Sequence, residues 1–167
     1  VANVGTINCN GGTTTIEVTG TGGTAPYTGE GTFSVSAGPY SYSITDASGC
    51  TSTVSGTISE PDVLAATSTS GVILCNKDAT TVTVSATGGT APYTGTGAFI
   101  VGAGAYNYLI TDANGCSATT SITVTEPDEI VATATYAPIL CNGDYAEITV
   151  TATGGTAPYA GTGTFYG

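Results

Sequence analysis

A 66-residue period governs this chain and limits what it can fold into. GGTAPYTG at Gly22–Gly29 returns letter for letter at Gly88–Gly95 and again as GGTAPYAG at Gly154–Gly161. Cys9, Cys75 and Cys141 keep the same spacing, as do Cys50 and Cys116, so the period marks a structural unit rather than a low-complexity linker. The repeat divides the chain into residues 1–62, residues 63–128, and 129–167 as the first half of a third copy, which continues or is covered by a neighbour.

Within one period the apolar residues alternate over short runs, and no helical spacing occurs. Ile16 and Val18 face one way against Thr15 and Glu17, and Tyr40, Tyr42 and Ile44 alternate with Ser41, Ser43 and Thr45. Further runs end at Ile58 and Val124 or start at Val63–Thr69 and Glu129–Thr135. DASG and DANG have the chemistry of a tight hairpin, which puts Cys50 and Cys116 at the start of a returning strand. GGTAPYTG combines glycines suited to positive φ with a proline that removes a ladder donor, so it reads as an irregular corner. The expected fold class is all-β: tandem small immunoglobulin-like antiparallel β-sandwich repeats, stacked end to end. Each would have about six or seven strands, with Tyr40 and Tyr106 as corner tyrosines.

A domain of this size buries only about 60% of the surface its unfolded chain exposes, so a staple is expected. Each complete period has two cysteines, which pairs Cys9 with Cys50 and Cys75 with Cys116 and leaves Cys141 to pair beyond the chain end. Each bridge would contribute about 4 kcal/mol by loop-closure entropy. Zinc is not implied, because CxxC spacing and histidine are absent. Bridged cysteines point to an oxidising, extracellular setting.

The formal net charge is -11, with Lys77 the single basic residue. Phosphate neutralisation needs Lys and Arg, so nucleic acid is excluded as a partner. No apolar run reaches the length of a span, so membrane insertion is not expected. Without histidine, no serine or threonine has an activating imidazole, and an enzyme is not expected. No cofactor is implied, with one exception to test. Glu60, Asp62, Glu126 and Asp128 gather at the repeat junctions, with Asp46 and Asp112 on hairpins that can approach them. Such carboxylates are candidate ligands for Ca2+ and equally serve as solvated surface acids. Thr24, Tyr27, Thr90, Tyr93, Thr156 and Tyr159 of the GGTAPY loops are candidate contacts for surface glycans, against their plainer role as a corner that every copy must turn.

INCNGG (Ile7–Gly12), VTGTGGTAPYTG (Val18–Gly29), SAGPYSYSITDASGC (Ser36–Cys50) and TISEPD (Thr57–Asp62) together resemble the SprB-type repeat of large Bacteroidetes cell-surface proteins, among them gliding-motility adhesins. The resemblance covers essentially the whole chain; the Tyr-x-Trp usual in the family is replaced here by TGEGTF or TGTGAF. It implies export to the cell surface and a role in surface filaments or adhesion, with further repeats of the same chain, or other copies in a filament, as partners. The four-residue Ser59–Asp62 linker, stiffened by Pro61, favours a semi-rigid rod gaining roughly 30 to 40 Å per repeat. The competing readings are a glycan- or surface-binding module and a spacer of a larger secreted enzyme.

Overall fold

The computed structural model describes residues 1–167. Alternating side chains place one apolar face on each extended run, and thirteen strands form without a helix. In the first repeat β1 (Ala2–Val4), β2 (Thr13–Val18) and β3 (Gly31–Ser36) make an antiparallel sheet in the order β1-β2-β3. A hairpin of β4 (Gly38–Thr45) and β5 (Thr51–Ile58) is the second layer. Ile7, Ile16, Val18, Ile44 and Ile58 form the core between them. The Phe33 and Tyr42 rings stack across it at 4.5 Å, which ties β3 to β4.

The second repeat repeats this plan with β6 (Ala65–Ser70), β7 (Thr80–Thr87) and β8 (Gly97–Val101) in one sheet and the hairpin β9 (Gly104–Thr111) and β10 (Ser117–Val124). Residues 129–167 supply only the three-stranded sheet: β11 (Val131–Tyr136), β12 (Glu147–Thr153) and β13 (Gly163–Tyr166). Register is the same in every copy, because the same alternation meets the same turn: Ile16 pairs Phe33, Val82 pairs Phe99 and Ile148 pairs Phe165. The first two sheets differ from the third in cover. Ile7 and Ile73 are 6% and 3% exposed, whereas Ile139, in phase with both, is 53% exposed on a sheet that has no hairpin against it.

The antiparallel all-β class agrees with the sequence, but each complete repeat has five strands rather than six or seven. The Gly20–Glu30 stretch adds no strand: it is an irregular corner, tied by an isolated bridge between Thr28 and Thr45 and by hydrogen bonds from Thr24 N–H to Asp46 and from Ala47 N–H to Thr24 O. Its Ala25–Pro26 peptide is cis, as are Ala91–Pro92 and Ala157–Pro158. β6 and β11 start two residues later than the alternation at Val63 and Glu129 suggests. The preceding carbonyls are used elsewhere: Gly89 N–H donates to Asp62 O and Gly155 N–H to Asp128 O, both at 2.8 Å. Of the tyrosines, Tyr106 donates to Gly102 O at 3.1 Å, as a corner residue should, and the Tyr40 ring lies over Gly56, where a Cβ would collide with it. The Tyr108 hydroxyl is buried without a partner, contrary to the general expectation for buried tyrosines.

By packing, the chain falls into two compact units. One comprises Val1–Thr67, Ser85–Thr96 and Leu109–Thr120; the other comprises Ser68–Val84, Gly97–Tyr108 and Ser121–Gly167.

Candidate functional site: the junction between repeats

The first unit contains a complete junction between consecutive repeats, built from three short segments. The first is the β1–β2 loop of repeat one. Gly12 N–H donates to Cys9 O at 3.0 Å, closing a turn that leaves Asn8 O and the Cys9 side chain facing outward. The second is the Glu-Pro-Asp linker, held against that loop from two sides. Asn10 Nδ2 donates to Pro61 O at 3.0 Å and Gly11 N–H donates to Glu60 Oε2 at 2.6 Å. The third belongs to repeat two, at the end that meets the Cys9 loop, where the GGTAPY corner and the Asp112–Cys116 hairpin come together.

One carboxylate organises that third segment. Asp112 Oδ1 accepts N–H bonds from Asn114 and Cys116 at 2.9 Å each, and Oδ2 accepts from Thr90 N–H at 2.9 Å. Burial pushes the Asp112 carboxyl up, but the N–H donors of Thr90, Cys116, Asn114 and Gly115 outweigh it and hold the group below the ordinary carboxylate range. Asp46 does the same work in repeat one. Thr24 N–H is the chief donor that lowers it, followed by Cys50, and burial opposes them. Asp112 is buried at 5% exposure and Asp46 only half-buried, because the Cys9 loop and linker cover the former.

A disulfide between Cys9 and Cys116, with Cα atoms 5.7 Å apart, closes the junction. Around it Asn114 Nδ2 donates to Asn8 O and to Thr90 Oγ1, both at 3.0 Å. This corrects the expected pairs Cys9 with Cys50 and Cys75 with Cys116, since Cys50, Cys75 and Cys141 are free and exposed. The reason is the parity of the strands. From Cys9 the chain runs along β2, back along β3 and out again along β4 before reaching Cys50, so the two cysteines lie at opposite ends of strands of six to eight residues. At about 3.3 Å per residue that separation is roughly 20 Å, far outside bridging range. Between Cys9 and Cys116 the chain runs along β2 to β9, an even number of strands that returns it to the same junction.

The second unit repeats the loop-and-linker half. Asn76 Nδ2 donates to Pro127 O at 3.1 Å, Lys77 N–H donates to Glu126 Oε2 at 2.6 Å, and Lys77 Nζ lies 3.6 Å from Glu129. The Glu60 and Glu126 carboxylates therefore accept from backbone N–H groups of the loops and clamp the linker. No group of three or more Asp, Glu or Cys side chains converges as a metal site would require. Asp62 and Asp128 enter through their backbone carbonyls.

The GGTAPY residues close corners of the chain, and the copy at Thr90 borders the Cys9–Cys116 junction. Tyr27 donates to Gly22 O and Tyr93 to Gly88 O, each at 2.6 Å, and Tyr159 donates to Gly154 O in the same way. Thr24 and Thr90 meet Asp46 and Asp112 through their backbone, and Thr156 lines an open cavity with Cys75, Pro127 and Glu129. Sequence reasoning missed Asn10 and Asn76 as linker clamps. Their signal was present, since an asparagine follows the cysteine at Asn10, Asn76 and Asn142 alike.

Sandwiches of the same plan joined by a built-in junction define the chain as a tandem β-repeat protein. Residues 133–160 match the SprB repeat family, a repeat of cell-surface proteins. The in-phase stretches 67–94 and 1–28 contain the same GGTAPY core. No curated protein matches the chain.

Proposed function

We propose that this chain is a structural segment of an extracellular fibre or cell-surface adhesin stalk, giving reach and surface attachment rather than catalysis. The observation that carries the reading is the Cys9–Cys116 junction, in which a covalent bond and a hydrogen-bonded linker join one repeat to the next. A spacer must hold a fixed distance between what lies on either side of it, and a short clamped linker suits that task better than a flexible one. The same sequence supplies the clamp wherever the period returns, so reach scales with repeat number. Outside the cell the disulfide persists, which fits the surface setting of the family.

Small-angle scattering on chains carrying increasing numbers of these repeats tests the reading. A maximum dimension that grows by a constant increment per repeat supports it. A dimension that grows as the square root of chain length, as for a flexible string of beads, would overturn it.

A further inference from the structure

Within the junction one side chain crosses from repeat two to the backbone of repeat one without using a disulfide. Asn114 Nδ2 directs one N–H to Asn8 O and the other to Thr90 Oγ1, both at 3.0 Å. A backbone carbonyl only accepts, so the amide nitrogen is the atom that faces Asn8. Asn8 adjoins Cys9 and Asn114 lies two residues before Cys116, so this contact holds together the two backbones that carry the bridge. Each backbone is shaped by its own hydrogen bonds. The Asp112 carboxylate fixes the hairpin through the Asn114 and Cys116 N–H groups, and Gly12 N–H closes the loop on Cys9 O. Asn8 O also lies 3.3 Å from Cys116 Sγ, so a reduced Cys116 finds an acceptor for its S–H already in place.

Chain statistics favour other pairs. Cys9 and Cys50, like Cys75 and Cys116, are less than half as far apart in sequence as the 107 residues that separate Cys9 from Cys116. Loop closure becomes less probable as the three-halves power of loop length, so an unfolded chain forms either shorter loop about fourfold more readily. The bridge that is present is therefore selected by the folded junction.

We propose that Asn114 is a positioning residue that latches the two repeats together while Cys9 and Cys116 are thiols, and so selects them as partners when an oxidant arrives. The in-phase residue of repeat one, Ser48, shows that the hairpin itself does not need asparagine. Its N–H donates to Asp46 Oδ1 at 2.9 Å, as the Asn114 N–H does to Asp112 Oδ1. What asparagine adds at 114 is reach across the junction. The junction is the one that carries the stalk reading, and the latch closes it before the covalent bond forms and keeps it closed after reduction.

With oxidised glutathione as the oxidant, the Cys9 thiolate attacks one glutathione sulfur, forming a mixed disulfide and releasing a glutathione thiolate. The Cys116 thiolate, held beside it, attacks the Cys9 sulfur and expels the second glutathione thiolate. Two protein thiols become one disulfide, one glutathione disulfide becomes two thiols, and the protons leave with those thiols.

The test equilibrates the folded full chain with mixtures of reduced and oxidised glutathione and measures the Cys9–Cys116 bridge by mass spectrometry of unreduced peptides. The equilibrium constant follows the fraction of reduced chains whose junction is closed, because closure sets the effective concentration of one thiol at the other. Asn114→Ser copies the hairpin of repeat one, so the turn is kept while the constant should fall about threefold or more, the effect of one net hydrogen bond. An unchanged constant overturns the proposal. A second arm needs no variant. By nuclear magnetic resonance, the Asn114 side-chain amide protons of the reduced chain should keep the shifts they have in the oxidised chain, and shifts of a free asparagine amide overturn the proposal. Neither failure touches the stalk reading, which is tested by scattering on chains of increasing repeat number.

Discussion

Gly88 faces the carbonyl oxygen of Val63 so closely that a Cβ in its place would lie nearer than 3.0 Å, a separation real Cβ atoms essentially never show. Gly154 meets Glu129 O in the same way, and Gly22 has no such neighbour. The glycine of the GGTAPY corner is therefore required twice: for its positive φ in every copy, and for close approach only where a linker passes.

Replacing Gly88 and Gly22 separately by asparagine isolates the second requirement, because both positions have φ values near 75°, at 71° and 77°. Gly88→Asn should destabilise the protein by about 2 kcal/mol more than Gly22→Asn, the cost of displacing backbone at a packed contact. Urea unfolding of the two variants, compared at equal m-value, measures it. Equal losses would show that the linker does not press on Gly88.

The bridge makes a selective prediction among five cysteines. Cys9→Ser and Cys116→Ser should each lose up to about 4–5 kcal/mol, the loop-closure term for a loop of roughly a hundred residues. Cys50→Ser and Cys75→Ser should be close to neutral in the monomer, since both thiols are exposed and unbridged. Thermal melts of the four variants, with intact masses before and after reduction, separate this pairing from one within each repeat.

Acid should open the hairpin corners. Asp46 and Asp112 are lowered from the ordinary 3.8 by backbone donors, so each binds its proton more weakly folded than unfolded. Their contribution is complete above that value and is lost as pH falls below it through the lower folded pKa. Asp112→Asn should flatten the acid limb of a stability–pH profile taken from pH 5 downward; an unchanged slope would remove Asp112 from the account.

Lys77 has a φ of 64°, the only positive value outside glycine, at the position where the other copies have Gly11 and Gly143. A left-handed conformation costs a lysine about 1 kcal/mol. The exposed pair that Lys77 makes with Glu129 returns little. Lys77→Gly should therefore raise stability by up to about 1 kcal/mol, less the entropy that glycine adds to the unfolded chain. A clear loss in chemical denaturation would mean that the Lys77 side chain contributes more than its exposed pair suggests.

The linker clamp can be read by a double-mutant cycle on Asn10 of the loop, which donates to Pro61 O, and Glu60 of the linker, whose carboxylate accepts from Gly11 N–H of the same loop. Each single change to alanine should cost roughly 1 kcal/mol, and the pair should cost less than the sum, because either loss frees the same segment. Strict additivity would indicate two independent contacts.

The repeat, its all-β class and the alternation that buries Ile16, Val18 and Ile44 were determined by sequence, because a two-residue period leaves only one face for a core. The role of GGTAPY as a corner was equally legible, since glycine and proline restrict the backbone locally. Strand number was not, because whether Gly20–Glu30 pairs with a neighbour depends on what passes beside it. The cysteine partners were decided by tertiary structure. Two cysteines per period suggest a bridge within each repeat, but a disulfide forms between residues that end on the same side of the layers, and that depends on how many strands separate them. Counting the runs between Cys9 and Cys50 would have placed them apart. That Cys116 arrives beside Cys9 followed only once two successive sandwiches and their short linker were in place.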